Sequence, residues 1–249
     1  FIEILGHYNP LSQPYELVVH KDKIETWISK GAQPSEQVAS LALQGPTSCA
    51  VLRQFGLAGI ETLTPFGIRY YQPGGAFGGA ELMVSRTGFT GDLGYELWIE
   101  PGHAELLWDR LFEAGSNHGI RPMGTLALEV TRIEAGFLQA GIDFLPADRA
   151  VRPDRTRSPF ELDLGRLVDL DKPNFTGRRA LLDERRRGSR YRMVRLDVEG
   201  NKLARDSFIY NSRREVVGTV TSAVWSPSAK ASIALASVRM PWGEPTDEL

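Results

Sequence analysis

A carboxylate delivered by a glycine-rich loop is the first feature of this chain with chemical meaning. Residues 85–97 read Ser85-Arg86-Thr87-Gly88-Phe89-Thr90-Gly91-Asp92-Leu93-Gly94-Tyr95-Glu96-Leu97. Gly88, Gly91 and Gly94 permit backbone angles that other residues resist. The loop places Glu96 at the start of the apolar strand Leu97-Trp98-Ile99. Turned inward, Glu96 requires partners, because an unpaired buried carboxylate is costly. A flat ligand with two adjacent N–H donors would engage both of its oxygens. Turned outward, it is the solvated side of a half-buried strand.

Two further stretches carry candidate groups. Arg132 and Glu134 flank Ile133 near the end of a helical run. The planar fork of an arginine suits a ligand carboxylate or phosphate. It equally suits a helix C-terminus and a neighbouring acid. In residues 218–227, Thr221, Ser222 and Trp225 could line a pocket beside an aromatic ligand, or simply form a strand and the turn after it. Cys49 lies on the apolar side of a short helix and reads as packing. Three familiar motifs are missing: G-x-S-x-G, H-E-x-x-H and the Walker loop. Cys49 is the only cysteine and the 4 histidines are scattered, so neither an internal disulfide nor a zinc-type metal site is expected.

The net charge of −2 speaks against nucleic acid or an anionic membrane as partner. Arg185, Arg186, Arg187 and Arg190 form a local basic run that fits a solvated helix end. No apolar run reaches the ~20 residues that span a bilayer. The amino terminus lacks the pattern of a secretory leader, so a cytoplasmic protein without a membrane segment is the expectation.

These groups need elements to hold them. Strands are expected at residues 15–20, 67–71, 82–85 and 95–99, and helices at 21–29, 46–55, 104–114 and 123–133, with Cys49, Leu52 and Phe55 facing inward on the second of these. Residues 143–158 form a long connection, and 176–187 a short basic helix. Strand-like runs at 191–198, 208–210, 215–224 and 233–238 suggest a small β-barrel or sandwich. A chain of 249 residues holds one large or two smaller domains. The change of texture divides it into 1–187 and 188–249.

Six segments, in order, resemble the glycine-cleavage T-protein (aminomethyltransferase) family. Residues 41–46 are similar to A-L-Q-G-P, and 86–97 to R-T-G-Y-T-G-E-x-G-F/Y-E-I/L. Residues 132–136 are similar to R-L-E-A-G, and 158–165 to S-P-L-E-x-x-L-G. Residues 177–181 are similar to G-R/K-x-A-L, and 218–236 to G-x-V-T-S-G-x-x-S-P…I-A-L-A. The resemblance implies an α+β fold of several subdomains around a folate site, ending in a small antiparallel β-barrel. It implies tetrahydrofolate as cofactor and one-carbon transfer as the activity. On that basis Glu96 falls on the pteridine-binding glutamate and Arg132 on the R-L-E-A-G arginine. Phe89, Tyr95 and Trp225 complete the implied cofactor set.

Departures from the family pattern bear on function. Residues 18–23 occupy the place of the family's acidic N-A-G/S…K-D segment but carry no N-A-G, so no catalytic acid is assigned. The family's amino-terminal portion is expected to be incomplete here. The long 143–158 connection and Trp225 resemble folate-dependent demethylases. The donor is therefore expected to be a small methylated compound or an aminomethyl-lipoyl carrier protein. A folate-binding regulatory or repair protein without transferase activity is the alternative.

Overall fold

The computed structural model describes residues 6–9, 16–19, 39–152, 155–200 and 202–244. The chain divides into two compact units, Phe1–Leu128 and Glu129–Leu249.

In the first unit, β1 (Gly6–Asn9) and β2 (Glu16–Val19) pair antiparallel with Gly6 opposite Val19. β2 lies within the strand expected at 15–20, whereas β1 carries Gly and Asn, poor strand formers, and gave no signal. The helix expected at 21–29 lies outside the described residues.

A four-stranded antiparallel sheet follows, built from β3 (Ala39–Gln44), β4 (Ile68–Tyr71), β5 (Leu82–Ser85) and β6 (Gly94–Ile99) in the order β3-β6-β5-β4. Side chains alternate along a strand. Leu82 and Val84 therefore share one face with Tyr95, Leu97 and Ile99, where they meet Val51, Leu52, Leu107 and Leu111. Those last four come from α1 (Ser48–Phe55) and α2 (Ala104–Gly115). The inward face of α1 centres on Val51 and Leu52, with the expected Cys49 and Phe55 at its margin.

Helix α3 (Thr125–Glu134) begins two residues later than expected and stops before Gly136, whose φ of 72° is left-handed. The division between the units falls within this helix. In the second unit, α4 (Arg178–Arg187) precedes a sheet of β7 (Tyr191–Val198), β8 (Phe208–Tyr210), β9 (Val216–Ser226) and β10 (Ala231–Arg239). These strands are antiparallel in the order β7-β10-β9-β8. The position 187/188 lies between α4 and β7, inside the second unit.

This sheet buries both faces. Ala234, Ala236 and Val238 pack with Val220 and Ala223, while Leu235 packs with Met193, Val224, Leu162 and Ile133 of α3. β9 is longer than expected and holds Trp225 within the strand rather than in the turn beyond it. It also carries a bulge: Ser222 pairs with Leu235 and Val220 with Ala236, leaving Thr221 as the extra residue. Among the described residues, no helix is long and apolar enough to cross a membrane, and no group of acidic, His or Cys side chains has the makings of a metal site.

Candidate functional site

The glycine loop is built around one side chain. Gln44, the last residue of β3, donates from Nε2 to the carbonyls of Thr87 and Tyr95, both at 3.4 Å, and accepts from Thr90 Oγ1 at 3.2 Å. A Cβ on Gly88 would stand 1.9 Å from Gln44 Oε1, and one on Gly94 2.3 Å from it. Two of the three glycines thus make room for an amide, while Gly91, at φ 85°, takes a left-handed turn. The backbone N–H of Gly45 and the hydroxyl of Ser48 both donate to the carbonyl of Leu93, closing the loop onto the start of α1. Gln44 belongs to one of the six resemblance segments, but its role as the loop's pin needed the fold.

The loop hands the chain to β6, where alternation separates Tyr95 from Glu96. Tyr95 is 2% exposed and belongs to the core. Burial, then its hydrogen bond with the Cys49 thiol, pushes its phenol up to about 12. Glu96 points to the other face of the sheet, half-buried, between Ala42 on β3 and Ser85 on β5. The next row on that face is Ser40, Trp98, Met83 and Tyr70. Among the described residues nothing donates to or pairs with the Glu96 carboxylate. Phe89, in the loop, is 36% exposed. The sequence-expected residues of this unit therefore separate into a presented pair, Glu96 and Phe89, and a core residue, Tyr95.

In the second unit Arg132 is enclosed. It donates to both carboxylate oxygens of Glu129 (Nε 3.1 Å, Nη2 2.5 Å), to Asp143 Oδ2 at 2.6 Å, to Ser222 Oγ at 2.7 Å and to the Phe137 carbonyl at 3.2 Å. Asp143 accepts further from the Gln139 N–H at 2.8 Å and from the hydroxyls of Thr221 and Ser222, each at 2.6 Å. The bulge makes this possible, since consecutive residues of a regular strand point to opposite faces. Ser226 Oγ donates to Glu134 at 2.6 Å, a second tie between β9 and α3. Trp225 lies between Ser222 and Ser226 along β9, points to the opposite face of the sheet and is 53% exposed. Sequence reasoning missed Glu129 and Asp143. The 132/143 pair spans 11 residues and the 132/222 pair 90, too far for any local pattern.

An antiparallel sheet in one unit and a small antiparallel β-domain in the next have a counterpart among solved structures. The solved aminomethyltransferase T of the Bartonella henselae glycine cleavage system superposes with a TM-score of 0.68 at 25% identity, over 92% of this chain and 61% of that one. Residues 16–172 match the GCVT N-terminal domain, and residues 191–249 the glycine cleavage T-protein C-terminal barrel domain. The chain belongs to the glycine cleavage T-protein family. It is 32% identical over 246 residues to an aminomethyltransferase of Halothermothrix orenii, covering 94% of this chain and 65% of that protein. It is 43% identical over 162 residues to a trimethylamine-oxide aldolase of Ruegeria pomeroyi, covering 64% of this chain and 19% of that protein. The chain thus spans less than two thirds of the length of each of these relatives.

Proposed function

We propose that this chain binds tetrahydrofolate and serves a one-carbon transfer to it. The observation that carries the reading is Glu96: a carboxylate without a partner among the described residues, presented by a pinned loop on a sheet face. A half-buried carboxylate in that state fits the ring N–H and exocyclic amino group of a pteridine, which it would bind through two parallel hydrogen bonds. Tetrahydrofolate supplies the nucleophilic nitrogen when bound. The chain's own part is orientation and charge. In the proposed cofactor set, Glu96 and Phe89 are the presented members in the first unit, and Trp225 is the exposed member in the second. Tyr95 and Arg132 act from behind the surface, one as core and one as the centre of a network. Residues 188–249 form the proposed barrel domain, with 1–187 carrying the rest.

For the donor we favour a small methylated compound over an aminomethyl-lipoyl carrier. The Halothermothrix relative is named for aminomethyl transfer, while the Ruegeria relative, more identical over the shorter stretch that it matches, is named for an N-methylated compound. Trp225 supports the second reading. An exposed indole face attracts a cationic nitrogen or sulfur, worth up to ~2 kcal/mol where water is excluded. The test supplies the intact protein and tetrahydrofolate with either loaded lipoyl carrier or a panel of methylated nitrogen, sulfur and oxygen compounds. One-carbon folate is expected from the panel. Its appearance from the carrier alone would restore the aminomethyl reading, and its absence from both arms would remove transferase activity from the proposal.

A further inference from the structure

The Arg132 network runs from a sealed interior to a partly exposed carboxylate. The Arg132 side chain is 1% exposed, that of Asp143 0% and that of Glu129 20%. A guanidinium offers five N–H donors. All five are engaged here, by Glu129 twice and by Asp143, Ser222 and Phe137 once each. Arg132 therefore has no donor left for an outside anion.

The charges point the same way. One guanidinium stands between two carboxylates, which leaves one negative charge in surplus. Asp143 is covered by four donors: Arg132, the Gln139 N–H, Thr221 and Ser222. Among the described residues, Glu129 receives only the two donors of Arg132, one on each oxygen, so each oxygen keeps acceptor capacity. It is also the one member of the trio that reaches solvent. The two-point grip holds the Glu129 side chain in a single orientation, so a ligand need not meet the entropy cost of ordering it. A surface ion pair would need none of the support behind Arg132.

We propose that Glu129 is the ligand-facing, specificity-determining group of this cluster, that it receives a methylated cationic nitrogen, and that Arg132 is its positioning residue. The ligand class rests on the methylated-donor reading given above. The charge preference does not, since it follows from the surplus carboxylate alone.

The test is binding, independent of turnover. The intact protein is titrated with tetramethylammonium chloride and, separately, with the neutral tert-butyl alcohol, with ligand NMR as the readout. The cation is expected to bind about tenfold more tightly than the neutral compound. Glu129→Gln, which keeps the shape and one acceptor for Arg132, should erase that preference. In the unaltered protein, the N-methyl protons should show nuclear Overhauser contacts to the Glu129 side chain, which decides the matter even if the variant fails to fold. Equal affinities for cation and neutral compound, a preference retained in Glu129→Gln, or methyl contacts confined to other residues would each overturn the inference. A lost one-carbon transfer with the cation preference intact would remove the methylated-donor reading and leave the role of Glu129 standing.

Discussion

Glu96 and Tyr95 are neighbours with opposite fates, and each carries a prediction. Glu96→Gln turns an acceptor into a donor that faces the donors of the pteridine, and folate affinity should fall by about 1–3 kcal/mol by calorimetric titration. Equal affinities would detach Glu96 from the cofactor. Tyr95 gives a pH dependence instead. Below 10.0, its ordinary value, both the folded and the unfolded chain keep the phenolic proton; from there to about 12 only the folded chain does. Unfolding then releases a proton, so stability declines as pH rises through that window. Denaturation midpoints should fall more steeply there in the unaltered protein than in Tyr95→Phe, and parallel curves would show that burial does not hold the proton. At this scale Glu96 was legible because glycines announce a loop and alternation follows it. Arg132 was legible only as a choice between a ligand site and a helix end, since its partners Asp143 and Ser222 come from elsewhere in the chain.

Elements were read from their periods, and they are seen most clearly where the period is regular. β5 coincides with its expected bounds, and β6 begins one residue before them, because apolar residues alternate over a half-buried surface. β3 was only a short apolar run in the sequence. Its strand character comes from the ladder with β6, which pairs Ala39 with Ile99 and Gln44 with Gly94. The loop after β5 shows why the glycines were legible and their purpose was not: two of them yield space to Gln44, an amide about 50 positions away for Gly94 and about 44 for Gly88. Gly94→Ala should therefore push the Gln44 amide out of the loop, costing about 1–3 kcal/mol of stability and weakening folate binding at the same time. Urea denaturation and folate titration of the one variant check both halves. A variant with unchanged folate affinity would mean that the loop does not position Glu96.

For the whole molecule, stability resides in cores contained within the two units. Leu97 is fully buried in the first and Leu235 nearly so in the second. Leu→Ala at either position should cost about 2–5 kcal/mol, through lost burial and the cavity left behind. Amide exchange should rise along β5 and β6 for Leu97→Ala and along β9 and β10 for Leu235→Ala. Unchanged protection around the altered residue would contradict the core assignment. The carboxy-terminal sheet was legible in advance because four short strands with turns between them leave few alternatives. The division of compact units within α3 was not, since a regular helix shows no break in composition where it passes from one set of neighbours to another.

A β-strand counts in twos, and the extra residue at Thr221 makes β9 change parity midway. Val220 and Ala223 are an odd number of residues apart yet share one packed face, while Ser222 and Ser226 turn to the other and meet Arg132, Asp143 and Glu134. Trp225 takes its side of the sheet from the same shift. A substitution at Thr221 leaves that count intact, whereas removing the residue would exchange inside for outside along everything that follows in the strand. In this segment, length is a stronger determinant of what the sheet presents than the identity of any side chain.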